Sequence, residues 1–444
     1  MVRQSFTRIK KIIKLLKGLV QKFVPKAEKQ QVKRHKPTII PRAEHGISRK
    51  DISSNALKVL YRLHQAGYET YLVGGCVRDL LLGRKPKDFD VATSARPEEV
   101  RRLFKNCMLI GRRFRLAHIM FGKEIIEVAT FRTHHQNASS QQAHTSEGMI
   151  IRDNVFGEIE DDALRRDFTI NALYYNIADF SVVDFLGGMK DIGARCLRII
   201  GDPLLRYQED PVRLIRVIRF AGKLRLNISP ETEAPIIELS NLLQQVSPAR
   251  LYLEVLKFFQ EGATAETLKL LQKYHLLKQL FPQTAAMLNQ PGTNLFIHNA
   301  LINTDQRLKE GKTISPAFLF TVFMWPAIIH EINKIPSDSL HYGMIDSIIQ
   351  DVIQTQKKHL DIPRRLLVIV REICMLQYRF AQRRGKQPYR LLEHPRFRAA
   401  YDLLLLRAES NEPIHEISDW WVKFYSGDTA QREKLLKQLN KEKS

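Results

Sequence analysis

The chain has 444 residues and 44% hydrophobic content, enough for two or three domains with a substantial core, so a disulfide-stapled miniprotein and a disordered tail are both excluded. Seventy Lys and Arg against 47 Asp and Glu leave a formal charge of +23, which disfavours a small-molecule enzyme with a neutral surface and points to polyanionic partners, either nucleic acid or an anionic membrane face. The excess sits at two addresses: residues 1–50 hold 15 basic and 2 acidic side chains, and residues 363–398 hold 10 and 2.

The first segment, SFTRIKKIIKLLKGLVQKFV, puts Phe6, Ile9, Ile13, Leu16, Val20 and Phe23 on one helical face with Lys10, Lys14 and Lys17 elsewhere. It suits an anionic membrane or RNA, or a basic leader that folds only on contact, and it lacks the continuous apolar block of a secretory signal. Residues 25–48, with Pro25, Pro37 and Pro41, read as linker. The spacing then predicts a helix over 51–67, a strand in ETYLVGG, a helix in CVRDLLLG, a second strand in KDFDVAT and a helix opening at Pro97. HIMFGKEIIEVATFR reads as a hairpin turning at Gly122-Lys123, and the polar run 133–148 as a flexible loop with solvated histidines. Beyond residue 160 only NIADFSVVDFLGG carries strand signal, and helical periods in DDALRRDFTINAL, EDPVRLIRVIRFAGKL, PARLYLEVLKFF and ATAETLKLLQKY dominate. PAFLFTVFMWPAII, interrupted by Pro326, is too short to span a bilayer and reads as a buried helix. Cys76, Cys107, Cys196 and Cys374 are too scattered for a zinc module or a disulfide framework, and a reducing cytoplasm is the simplest home. The fold class is therefore α+β, a small mixed sheet in the head followed by a long helical region.

Chemistry enters where the strand of YLVGG runs into a helix. Gly74 and Gly75 expose bare amides at a helix N-terminus, where negative charge is favoured, and Arg78 follows one turn in; a plain tight turn is the competing reading. Asp88 and Asp90 alternate with Phe89 on the next strand and so share a face, a pair that invites Mg²⁺ completed by water and phosphate oxygens. Arg165, Arg166 and Asp167 follow a helix start carrying Asp161 and Asp162. Glu127 interrupts the apolar strand IIEVATF and competes with Asp167 as third acid. In EDPVRLIRV, Glu209, Asp210 and Arg213 form either a plain salt bridge or a base-reading pair, since a carboxylate accepts from an exocyclic amine while a guanidinium donates to a ring nitrogen.

GGCVRDLLLG with KDFDVAT, RRDFTINALYY and EDPVRLIRVIRFA together resemble three motifs of the nucleotidyltransferase superfamily, in the branch of bacterial poly(A) polymerases and CCA-adding enzymes, over roughly residues 50–260. The segment 109–121, LIGRRFRLAHIMF with Arg112, Arg113, Arg115 and His118, resembles the mark of the polymerases rather than of the CCA-adding enzymes, although a solvated basic loop reads the same way. The resemblance implies a nucleotidyltransferase head, then helical neck, body and tail, set here at residues 50–195, 196–262, 263–350 and 351–444 behind a leader of 1–49. It implies AMP transfer from ATP to RNA 3′ ends without a template, feeding mRNA processing and decay, with two Mg²⁺ ions. Asp88, Asp90 and Asp167 would be catalytic, with Asp88, Asp90 and Glu127 toward metal. Gly74, Gly75, Arg78, Asp79, Arg165, Arg166, Glu209, Asp210 and Arg213 would hold the nucleotide, and Arg364, Arg365, Arg383, Arg384, Lys386 and Arg396 the RNA. Expected partners are RNA, ATP, RNA-decay proteins and, through the leader, an anionic membrane; the expected state is a cytoplasmic monomer. CCA addition to tRNA, or a non-catalytic RNA scaffold, are the alternatives.

Overall fold

The Ser53 hydroxyl accepts from the amides of Asn55 and Ala56 and starts a helix over Ser54–Gln65, whose Ala56, Val59, Leu60 and Leu63 form the buried stripe that the periodicity predicts. The computed structural model describes residues 36–111, 115–133 and 156–441. The amphipathic leader, Arg112, Arg113 and the polar run from residue 134 lie outside the described residues.

The strands are β1 Thr38–Ile40, β2 Thr70–Val73, β3 Asp90–Thr93, β4 Cys107–Ile110, β5 Leu116–Phe121, β6 Glu124–Thr130, β7 Leu173–Asn176 and β8 Val182–Asp184, in the sheet order β1-β8-β7-β2-β3-β6-β5-β4. The sheet is mixed, as expected: β3 and β6 are parallel and every other pair is antiparallel. Helices Ser54–Gln65 and Pro97–Leu103 pack on one face through Val59, Leu60 and Val100 against Val91, Ile119, Ile126 and Val128. On the other face Ala163, from helix Ile159–Leu164, meets Val73, Ala92 and Tyr174.

Four local expectations change. Thr38–Ile40, read as linker, pairs with β8 because its Ile40 has a buried slot at the sheet edge. Cys107–Ile110, of which only Leu109 and Ile110 were read, as the start of the basic segment 109–121, is the opposite edge strand. KDFDVAT forms a strand only from Asp90, so Asp88 sits in the bend before it. The helix expected over 161–173 ends at Leu164; a 3-10 turn, Thr169–Asn171, and β7 follow, because the buried Phe168, Ile170 and Leu173 belong to the sheet and neck cores.

From Pro203 onward the described chain is almost entirely helical, apart from β10 Asn227–Ile228, which pairs in parallel with β9 Cys196–Leu197. Helix Pro316–Ile332 continues through Pro326 and is buried nearly all round, which fits a core element. One apolar cluster runs from Phe168 through Phe323 and Val370 to Trp421 and Phe424, so neck, body and tail share a core. Each fully buried large side chain there contributes about 1.5–3 kcal/mol. Among the described residues no helix is long and apolar enough to cross a membrane.

Candidate active site

β2 ends at Val73 and helix Gly75–Leu81 begins two residues later, with Gly74 between them at φ 77°, ψ −134°. A side chain at Gly74 would be strained by that φ, and its Cβ would lie 3.4 Å from Arg166 Nη1 and 4.0 Å from Asp90 Oδ2. The glycine therefore brings bare backbone up to a cation and an acid supplied by two other elements. Arg78 lies beneath this turn, not in it: its Nε and Nη2 donate to Asp79 Oδ1 at 2.8 and 2.6 Å, Nη1 donates to Asn171 Oδ1 at 2.8 Å, and the guanidinium sits 5.1 Å from the Phe220 ring centroid. With every nitrogen engaged and the residue buried, Arg78 and Asp79 brace the turn against the neck.

Asp90 opens β3 and is aligned with Val73 on β2 and Glu127 on β6. Burial, then the charges of Glu127 and Asp88, push its pKa up to about 6 against the opposing pull of Arg166. Neither the Asp88 nor the Asp90 carboxylate accepts a hydrogen bond among the described residues. Glu127 Oε2 in turn lies 3.3 Å from His118 Nε2, its cross-strand partner. Asp90 and Glu127 are half-buried and Asp88 is exposed beside them, and like charges that act on one another, with no donor to Asp88 or Asp90 among the described residues, fit a hard divalent cation. Among the described residues no three His, Cys, Asp or Glu side chains form a group that could hold a metal ion.

Asp162 organises the second motif. It is buried, and its Oδ1 accepts from Arg165 Nε and Nη2 at 2.9 and 2.6 Å while Oδ2 accepts from Arg166 Nε and Nη2 at 3.1 and 2.8 Å and from Tyr174 Oη at 2.8 Å. Burial alone would raise its pKa, but Arg166 and Arg165 hold it down at about 2. Fixed this way, both arginines keep Nη1 without a hydrogen bond among the described residues, and that of Arg166 points at the glycine turn. Asp167 is placed differently from Asp88 and Asp90. Its carboxylate takes Arg216 Nε at 2.9 Å, Asn171 Nδ2 at 3.1 Å and the Phe168 amide at 2.9 Å, and these partners hold it at about 2 against the effect of burial. The structure thus brings Glu127, and not Asp167, into electrostatic reach of Asp90.

In the neck, Asp210 and Arg213 are not paired with each other. Arg213 Nη1 donates to the Arg206 carbonyl at 2.7 Å and to Glu209 Oε2 at 3.2 Å, whereas Asp210 Oδ2 takes Arg250 Nη2 at 3.0 Å from helix Pro248–Gln260. The simple salt bridge between them is absent, and each is held from outside. Arg206 also donates to the Arg165 and Arg166 carbonyls at 3.0 and 2.7 Å, linking neck to second motif. Sequence reasoning missed Asp162 as an organiser, and it missed Arg216 and Arg250. The three-residue spacing of Arg213, Arg216 and Arg219 on one helix was the available signal.

In the tail, Arg364, Arg365, Arg384 and Lys386 are exposed and carry no ion pair among the described residues. Arg383 differs, pairing with Glu416 at 2.8 Å and stacking 5.7 Å from the Trp420 ring, and Arg396 pairs with Glu372 at 3.0 Å.

Residues 70–198 match the family model "Poly A polymerase head domain", residues 225–288 "Probable RNA and SrmB- binding site of polymerase A" and residues 341–444 "Polymerase A arginine-rich C-terminus". Poly(A) polymerase I of Salmonella typhimurium is 50% identical over 421 residues, 93% of this chain and 90% of that protein. Poly(A) polymerase I of Haemophilus influenzae is 45% identical over 94% of both. The CCA-adding enzyme of Bacillus subtilis matches at 38% over 225 residues, 51% of this chain and 55% of that enzyme. Among solved structures, a Thermotoga maritima CCA-adding enzyme complexed with tRNA shares the fold at TM-score 0.54 and 20% identity, covering 89% of this chain and 97% of that one. A structure described as a tRNA-processing enzyme complex does so at TM-score 0.59 and 21% identity, over 86% and 99%.

Proposed function

The chain belongs to the bacterial poly(A) polymerase family, a nucleotidyltransferase that adds AMP to RNA 3′ ends with ATP and a divalent metal, and on that premise we propose how its own residues divide the reaction. The head, residues 50–195, holds the reacting atoms; the neck, 196–262, reads the base; the body, 263–350, and tail, 351–444, carry RNA. The observation that carries this reading is the position of Asp90. A half-buried acid, under the charges of Glu127 and Asp88 and without a donor among the described residues, lies beside a glycine turn on which Arg166 converges.

The triphosphate lies across Gly74 and Gly75, where the open Nη1 edges of Arg165 and Arg166 neutralise it. Asp88 and Asp90 would hold the metal, with Glu127 beside them, and two Mg²⁺ ions bound there would supply charge neutralisation at the pyrophosphate and a more acidic 3′-hydroxyl. In the transfer the 3′-oxygen bonds the α-phosphorus, the bond to pyrophosphate breaks, and the attacking hydroxyl gives up its proton to water. The protein's part is positioning and charge stabilisation. Asp167 positions Arg216 and the turn from Phe168 to Asn171, and reaches the nucleotide through them.

Asp210 and Arg213 read the adenine edge, pre-set by Arg250 and by Glu209 with the Arg206 carbonyl. Arg213→Ala should therefore lower ATP selectivity over the other nucleotides by about 1–3 kcal/mol, measured as the ratio of kcat/KM values. Unchanged discrimination in a folded variant would return the pair to a structural role. For the tail, alanine at Arg364, Arg365, Arg384 and Lys386 together should raise the KM for RNA and flatten its salt dependence while leaving the KM for ATP in place, because phosphate contacts release counterions. Arg383 is left out, since its loss would also unpack Trp420.

The test of the whole reading is incubation of the purified protein with a generic RNA primer and each nucleoside triphosphate separately. An ATP-only ladder of long products is the expected result. Termination after a few C and A additions on a tRNA primer would select CCA addition, and binding without extension would select a scaffold.

A further inference from the structure

The sheet face that carries Asp90 continues past it. Strand register aligns Asp90 with Glu127, Glu127 with His118 and His118 with Met108, a row that crosses β3, β6, β5 and β4 to the sheet edge. Because side chains alternate along a strand, the same face also holds the cross-strand partners Met120 and Ile125 on one side of that row and Ile110 on the other. Met108 is 48% exposed, Ile110 40%, Met120 39% and Ile125 49%. The opposite face of these strands is closed by helices Ser54–Gln65 and Pro97–Leu103. Single exposed apolar residues need no explanation, but four on one face of three neighbouring strands form a patch of the kind that marks a contact surface.

The geometry points to this shelf as the seat of the RNA primer's terminal nucleotides, an inference that rests on Asp88 and Asp90 being the transfer centre. The row from Asp90 to Met108 crosses three strand spacings, about 14 Å at roughly 4.8 Å each, so the shelf begins at the site where the 3′-hydroxyl must arrive and leads directly away from it. Its chemistry fits that occupant. Aliphatic and thioether side chains accept the face of any base without reading its hydrogen-bonding edge, which suits a primer whose terminal base differs before the first addition and is adenine after it. Cations stand at one end: Lys105 and Lys123 are exposed, carry no ion pair among the described residues, and lie at the same end of the hairpin, where the Asn106 carbonyl accepts from the Met120 amide at 3.0 Å. A second copy of the chain is the competing occupant of an apolar sheet edge.

The experiment uses the full-length protein and a short primer, so that tail contacts do not mask the shelf. Met120→Ser with Ile125→Thr, and separately Met108→Thr, should raise the KM for RNA about tenfold through lost apolar contact with the base, with the KM for ATP and kcat at saturating RNA unchanged. A primer carrying a photoreactive 3′-terminal base should crosslink to peptides from β4, β5 or β6. An unchanged RNA KM with crosslinks elsewhere would overturn the shelf, as would variants whose only change is lost self-association in sedimentation, which would make the surface a contact between copies. Wild-type extension of the same primer separates the two levels: if it fails, the transfer reading fails and the shelf with it; if it succeeds, the variants judge the shelf alone.

Discussion

Replacing Asp90 with asparagine should abolish AMP transfer, leave RNA binding in place, and make the folded protein more stable at pH 8. The loss of rate follows from charge: the acid that neutralises the reacting centre through bound metal contributes several kcal/mol, so a fall of about a thousandfold or more is expected, and Asp88→Ala should behave alike. The basic tail is untouched, so RNA affinity by filter binding should change little. Full activity in an Asp88, Asp90 double variant would end the proposed mechanism.

The gain in stability comes from the same geometry. Burial and the neighbouring Glu127 and Asp88 raise the folded-state pKa of Asp90 to about 6, from an ordinary value of 3.8. A raised carboxyl pKa means that ionisation is costlier in the folded state. The cost is absent below the unfolded pKa, grows between about 4 and 6, and is complete above that. Asparagine removes it, so the variant should exceed wild type by about 1–2 kcal/mol at pH 8, once solvent screening of the half-open site is allowed for, and by nothing near pH 4. Added Mg²⁺ should raise the Tm of wild type and not of Asp90→Asn, a readout independent of turnover. Equal Mg²⁺ responses would remove Asp90 from the metal site.

What could be read from sequence divides along contact range. The glycine turn at Gly74 and Gly75 between a strand and a helix was legible because a short local pattern states it, whereas Asp88, read on one strand with Asp90, falls in the bend before that strand. The hairpin at Gly122-Lys123 was legible for the same reason as the glycine turn. The assignments of Arg78 and of the pair Asp210 and Arg213 depended instead on partners far along the chain. Asn171 is 93 residues from Arg78, and Arg250 is 40 from Asp210, so spacing alone could not tell a buried brace from an open phosphate contact. Asp167 and Arg216 are separated by 49 residues, and the same limit put Asp167 slightly ahead of Glu127 as the third acid, although Glu127 is the one whose charge acts on Asp90. The helix expected across RRDFTINAL failed because sheet and neck pull Phe168, Ile170 and Leu173 into two different cores, and tertiary burial overrode helical periodicity. Thr38–Ile40 escaped notice because three residues carry no periodicity of their own.

Asp162 should carry the largest stability effect in the head. Alanine there leaves Arg165, Arg166 and the Tyr174 hydroxyl without their shared acceptor, at a position that is 1% exposed. Removing one partner of a buried ion pair typically costs about 3–5 kcal/mol, because the charge left behind has lost both solvent and counter-ion. Urea unfolding should report that loss. Kinetics should report a second effect, since Arg166 no longer holds its Nη1 edge toward the glycine turn: the KM for ATP should rise while the KM for RNA stays. The pH dependence gives an independent check. Asp162 is held at about 2 in the folded protein, below its ordinary 3.8, so the stability it contributes is fully present above about pH 4 and drains away as pH falls toward 2. The alanine variant should therefore differ most from wild type at neutral pH and converge on it in acid. A gap that stayed constant down to pH 2 would show that the variant loses packing volume and not the charge that organises both arginines.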